Sequence, residues 1–183
     1  MESDQERQFV RRAKAGDRAA FSALADRYWG PVRAWLAGLT GREHLAEDLT
    51  QDAFLKAWAA LPRLAADETF RVWLFRIARN EFLAYRRSPK ALPPEALPDA
   101  SDAAPGPVAA AMTREADAAL RAAVARLPEA YRETYLLWTH DALPYPEVAR
   151  VLGTTEETAR WRVCQARKLL VKALEPYLDP SPP

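Results

Sequence analysis

Tyr145-Pro146-Glu147-Val148-Ala149-Arg150-Val151-Leu152-Gly153-Thr154-Thr155-Glu156-Glu157-Thr158-Ala159-Arg160-Trp161-Arg162 decides the reading of this chain. The stretch opens as a short helix, breaks at Gly153, and resumes as a second helix loaded with arginine. Ala149 and Gly153 lie four residues apart. Small residues at that spacing let two helices approach closely, and glycine accepts the positive φ of the turn between them. Ala159, Val163, Ala166 and Leu170 then share one face of the second helix, where they pack on the elements before it. Glu156, Glu157, Arg160, Trp161 and Gln165 are left facing outward. The pattern is that of a helix-turn-helix, whose second helix lies in the major groove of DNA. Arg160, Arg162, Arg167, Lys168 and Lys172 supply positive charge for phosphates or guanine edges. An ordinary helical hairpin with a solvated basic face has much the same pattern. The turn, the helices before it and the basic face coincide here, which favours DNA.

Two helices precede the motif, from about Thr113 to Arg126 and from Pro128 to Thr139, and the recognition helix runs from Glu156 to about Leu174. Upstream, Ser88 to Ala111 holds six of the chain's 15 prolines: Pro89, Pro93, Pro94, Pro98, Pro105 and Pro107. Proline removes backbone donors and fixes φ, so no regular helix crosses this stretch and an extended, semi-rigid linker is expected. The chain therefore divides into residues 1–87, a Pro/Ala-rich linker over 88–112, and residues 113–178, followed by a frayed tail. Phe21, Leu24, Ala25 and Tyr28 recur at helical spacing behind a capping Asp17. Pro31 suits the first turn of a following helix that carries Val32, Trp35, Leu36 and Leu39. A third helix covers about His44 to Leu61, and a fourth begins near Thr69, a plausible N-cap, and ends at Arg87. β-branched residues and alternation are scarce, so no strand is expected. The fold class is all-α: two small helical domains joined by a Pro-rich linker, the second ending in the helix-turn-helix.

The fourth helix contrasts with the third. Phe70 to Lys90 carries Arg71, Arg76, Arg79, Arg86, Arg87 and Lys90 against the single acid Glu81, interleaved with Phe70, Trp73, Phe75, Phe82 and Tyr85. Aromatics stack on unpaired bases while arginines hold the backbone, which is the chemistry of single-strand capture. Phe70, Trp73, Leu74 and Ile77 have the spacing of a buried stripe and are assigned to the core; the basic excess still calls for a polyanion. The third helix, Leu45 to Trp58, alternates acids with a broad apolar set. It reads either as a protein-docking helix or as a two-sided core helix.

Composition narrows the classes. A net charge of +1 points to no partner by itself; the distribution of charge matters more than the sum. One cysteine excludes an internal disulfide and a cysteine zinc site, and Cys164 is expected to be a small buried filler. The two histidines, His44 and His140, fall in separate blocks. No phosphate-cradling glycine loop and no nucleophile-base pair appears, so no catalytic residue, metal or cofactor is expected. No apolar run approaches the ~20 residues of a membrane span, and Met1 to Glu6 is acidic, unlike a secretory signal. A soluble cytoplasmic protein without membrane insertion follows.

Together these pieces resemble the extracytoplasmic-function (ECF) class of bacterial sigma factors, the two-domain promoter-recognition subunits of RNA polymerase. The segments AEDLTQDAFLKAW and FRVWLFRIARN look like sigma domain 2, while LPEAYRETYLLW and YPEVARVLGTTEETARWRVCQARKLL look like sigma domain 4. The resemblance implies docking on core RNA polymerase through Asp48, Leu49, Gln51, Asp52, Phe54 and Trp58. It implies capture of the melted minus-ten element by Asp67, Glu68, Thr69, Arg76, Arg79 and Asn80, with one base flipped into the loop from Pro62 to Thr69. Thr155, Thr158, Arg160, Trp161, Arg162 and Arg167 would meet the minus-thirty-five element as duplex. Members usually read Thr-Val-Lys-Ser-Arg where this chain has Thr158-Ala159-Arg160-Trp161-Arg162. Arginine for lysine turns a point charge into a bidentate fork. Trp161 contacts a thymine methyl or packs against the domain or a partner. Ala84 stands where an aspartate is common. An anti-sigma factor is a further expected partner. The implied function is promoter-specific transcription initiation without covalent chemistry; the alternative is a stand-alone helix-turn-helix transcriptional regulator that never binds polymerase.

Overall fold

The computed structural model describes residues 4–65, 69–89, 117–140 and 143–178, and every regular element among them is helical. The expected linker and tail fall almost wholly outside those residues, as do Asp67 and Glu68.

The chain begins with a helix that the sequence reading passed over. Helix α1 (Asp4–Lys14) carries Asp4 and Glu6 in its first turn and Arg11, Arg12 and Lys14 in its last, the arrangement that complements the helix dipole. Asp17 then ties its end to the start of α2 (Arg18–Thr40). One carboxylate oxygen accepts from the Ala20 amide at 3.1 Å and the other from Arg12 Nε at 2.9 Å. The Ala20 amide, then Arg12, hold the Asp17 carboxyl below its ordinary pKa.

Helix α2 runs unbroken through Pro31, where a new helix was expected to start. A proline inside a helix costs about 3 kcal/mol. Tyr28, Val32, Trp35 and Leu36 all lie buried around it, and burying each such side chain contributes about 1.5–3 kcal/mol. Packing of this stretch as one rod outweighs the proline. The helix ends where Gly41 enters the left-handed region (φ 70°) and its amide reaches the Ala37 carbonyl at 2.8 Å.

Helix α3 (Glu43–Ala60) leads into a 3-10 turn at Leu61–Arg63, and α4 (Phe70–Arg87) follows. Ala46, Leu49, Thr50, Ala53, Phe54 and Ala57 form the buried face of α3. Against it α4 turns Phe70, Leu74, Phe75, Ala78 and Phe82. Tilted or edge-on ring pairs tie α2 to both: Trp35 with Phe75 at 5.5 Å, Tyr28 with Phe70 at 5.7 Å, Trp29 with Phe54 at 5.4 Å. Phe75 and Phe82 are therefore core residues, unavailable to stack on bases, and Tyr85 is half-buried.

The second unit comprises α5 (described over 117–125), α6 (Glu129–His140), α7 (Tyr145–Leu152) and α8 (Glu156–Leu178). Helices α6 and α7 both pack on α8, around Leu137, Val148, Val151, Ala159, Val163, Ala166 and Leu170. The two units also pack on one another, α2 against α6 and α4 against α7.

Candidate nucleic-acid and polymerase interfaces

The helix-turn-helix is built as its sequence requires. Gly153 takes φ 66° and ψ 41°, and its amide and that of Thr154 both reach the Ala149 carbonyl. Thr155 then starts α8, its hydroxyl accepting from the Thr158 amide at 3.1 Å and lying 2.8 Å from the Thr158 hydroxyl. Ala159 and Val163 are buried, so Thr155, Arg160 and Trp161 face solvent while Thr158 and Arg162 are half-buried. Arg160 is held by Glu156 one turn back and lies over the Tyr145 ring at 5.0 Å. The hydrogen bond to Glu156 raises its pKa. Arg167, also exposed, lies over Trp138 at 6.0 Å. A basic groove along α8 is lined by Arg160, Cys164, Arg167, Lys168 and Lys172. Cys164 is exposed there, contrary to the expected buried filler, because it sits one position past the buried Val163 on the helix.

Trp161 combines the readings left open for it. One edge meets the Tyr131 ring of α6 at 5.6 Å and 82°, and 52% of the residue stays exposed. The indole is a propped, outward-facing plate.

On α3, Asp48, Gln51 and Asp52 are exposed and Trp58 is half-buried against Phe21. Leu49 and Phe54, expected at the same docking surface, are each only 6% exposed and belong to the core. Their spacing with Ala46, Ala53 and Ala57 places them on the opposite face. Leu55, absent from the docking residues expected from the sequence, is 61% exposed. It lies three and four residues beyond Asp52 and Gln51 and seven beyond Asp48, so it shares their face. That periodicity is the signal that could have found it.

On α4, Arg76 and Asn80 are exposed, one turn apart. Arg79 is covered: Nε and Nη2 bond the two oxygens of Glu133 in α6 at 2.6 and 3.2 Å. Arg71 pairs with Glu147 of α7, and Arg86 with Glu129 of α6 at 2.9 Å. Thr69 occupies the N-cap position of α4 without making a capping hydrogen bond. Glu133 and Glu147 had a sequence signal too. Each is an acid on an otherwise apolar helical stripe, preceding Leu136 and Leu137 or beside Val148, and such a position asks for a cation.

Comparison with known proteins agrees with this architecture. Residues 24–91 match the Sigma-70 region 2 family and residues 117–170 the Sigma-70, region 4 family. The RNA polymerase sigma-H factor of Pseudomonas aeruginosa is 30% identical, over 96% of each chain. The ECF RNA polymerase sigma-E factor of Escherichia coli K12 is 28% identical, over 92% of this chain and 94% of its own. The solved structure of CnrH in complex with the cytosolic domain of CnrY superposes with a TM-score of 0.73 at 26% identity, covering 94% of this chain and 98% of that one. The chain belongs to the ECF class of bacterial RNA polymerase sigma factors. Its function is that of a sigma factor, directing promoter-specific transcription initiation, and the stand-alone regulator is not favoured.

Proposed function

We propose that three surfaces divide the work of this sigma factor. The α3 face of Asp48, Gln51, Asp52 and Leu55 docks on core RNA polymerase, an apolar side chain ringed by acids and an amide. The α4 face of Arg76, Arg79 and Asn80, with Asp67, Glu68 and Thr69 before it, takes the melted minus-ten strand. The amino-terminal half of α8 reads the minus-thirty-five duplex through Thr155, Thr158, Arg160, Trp161 and Arg162, with Arg167 on the phosphates. No covalent step is involved. Duplex contacts position the complex, and capture of unstacked bases favours the open strand. The observation that carries this reading is the pair of exposed polar faces, on α4 and α8, each set on its own packed helical unit. By likeness to CnrH, solved with the cytosolic domain of CnrY, the chain takes a protein partner in the cytoplasm, and an anti-sigma factor is the partner expected.

Permanganate reactivity of unpaired thymines tests the division. Holoenzyme with the wild-type chain should expose minus-ten thymines on a promoter it transcribes. Arg76→Ala with Asn80→Ala should abolish that reactivity while footprints over the minus-thirty-five element persist. Equal loss of both footprints would contradict it.

A further inference from the structure

Two rings and two guanidinium groups form a continuous chain beside α8. The Arg160 guanidinium lies over the Tyr145 ring at 5.0 Å. Tyr145 stacks on Trp138, with ring planes 12° apart and centroids at 6.1 Å. Arg167 lies over the Trp138 ring at 6.0 Å. Trp138 comes from the last turn of α6 and Tyr145 is the first residue of α7, so the stack closes the corner between the two helices. Both rings are half-buried and pack on the core, whereas both arginines are exposed. A ring face within about 6 Å attracts a guanidinium. Arg160 is held on a second side, where its Nε and Nη2 donate to one Glu156 oxygen at 3.1 and 2.5 Å. An exposed ion pair one helical turn apart fixes a long side chain only weakly. The ring supplies the flat support that the carboxylate cannot.

We infer that Tyr145 and Trp138 are positioning residues for promoter recognition, their stack holding Arg160 and Arg167 in place on α8 before DNA arrives. The inference rests on the minus-thirty-five role proposed for α8. A rotamer-rich side chain loses freedom when it binds, and one already fixed loses less. A fixed guanidinium also meets a base edge in a single geometry, and bidentate contact in a single geometry is what separates one base from another. The early residues of a recognition helix reach base edges. Arg167 lies two turns beyond Arg160, about 10 Å further along the axis, and is placed for the backbone. Tyr145 therefore acts on sequence choice through Arg160, and Trp138 acts on affinity through Arg167. Neither ring touches DNA itself.

The test uses holoenzyme reconstituted from the full-length chain and core polymerase. Its probe is a duplex pool carrying a promoter that the wild type transcribes, randomised over the minus-thirty-five element. Tyr145→Leu should cut enrichment of the preferred sequence at least ~5-fold, whereas Tyr145→Phe, which keeps the ring, should stay within ~2-fold of wild type. Trp138→Leu should weaken binding at least ~3-fold, evenly across the pool, because phosphate contacts carry no sequence. Once Arg160→Ala is in place, Tyr145→Leu should cost nothing further, and likewise Trp138→Leu after Arg167→Ala. If one leucine variant fails to fold, as read by helical circular dichroism, the other decides. No loss from the leucine variants, or a loss that persists in full when the matching arginine is gone, overturns the positioning role and leaves the α8 reading standing. A Tyr145→Phe variant as poor as Tyr145→Leu makes the hydroxyl a contact in its own right and also overturns it. If Arg160→Ala and Arg167→Ala change neither enrichment nor affinity, the minus-thirty-five reading of α8 falls and the positioning role falls with it.

Discussion

Tyr28 and Glu6 show how one polar pair fastens α1 to the rest of the molecule. Glu6 is almost fully buried, its carboxylate accepting from the Tyr28 hydroxyl at 2.5 Å while Arg27 lies 3.4 Å away. A hydrogen bond to a buried charged group contributes about 1.5–3 kcal/mol. Tyr28→Phe should therefore cost about 2 kcal/mol, on the order of 5 °C in Tm for a chain of this size, measured by thermal circular dichroism. Burial, and then Glu6, push the Tyr28 hydroxyl above its ordinary pKa of 10.0. The fold thus favours the neutral phenol. Its stabilisation is complete below pH 10 and declines as the unfolded phenol ionises above it. Wild type should lose stability above pH 10 more steeply than Tyr28→Phe. Parallel curves for the two would remove this pair from the account. Trp161 is the other residue where this chain speaks for itself. Half of its surface remains open while Tyr131 fixes its angle. Trp161→Ser should leave Tm within a few degrees and relax discrimination at one minus-thirty-five position, by about 1–3 kcal/mol, in a binding-and-sequencing assay. Uniform weakening across all sequences would instead make Trp161 a packing residue.

At the scale of the element, the sequence was most legible where periodicity and punctuation agreed. Helix α7 and the turn at Gly153 lie where the spacing of Ala149, Gly153 and Ala159 put them. Helix α4 was legible for the same reason, between Thr69 and Ser88. Pro31 misled because local propensity was weighed without the packing on both sides of it. Helix α1 was passed over because its first residues are polar, although Phe9, Val10 and Ala13 repeat at helical spacing and pack on the core. Leu49 and Phe54 were assigned to a partner surface because they share a motif with Asp48, Gln51 and Asp52. A motif is contiguous in sequence, whereas a helix face is not, and these two point inward. Leu55 is the residue that the exposed α3 face adds. Leu55→Asp should cut affinity for core polymerase at least ~10-fold while leaving the helical spectrum unchanged, since most of Leu55 faces solvent. Retained binding would move the docking surface off this face.

For the whole molecule, composition could set the fold class but not the relation between the units. Among the contacts that join them are single-residue pairings: Gly38 against Leu136, and three arginines of α4 against three glutamates of α6 and α7. No periodic pattern marks a pairing between residues 54 or 76 positions apart. Such a pairing becomes visible only as acids stranded on apolar stripes. Residues 66–68 of the minus-ten loop and nearly all of the linker lie outside the described residues and stay as sequence expectations. What the described residues do carry is an exposed Arg76 and Asn80 on α4, a basic face on α8, and an acid-ringed leucine on α3. The most direct test of that arrangement is run-off transcription with purified core polymerase on a pool of promoter fragments. The account predicts discrete promoter-dependent transcripts with the wild-type chain, none with core alone, and none with Leu55→Asp. Absence of any such transcript, or transcripts indifferent to Leu55, would contradict it.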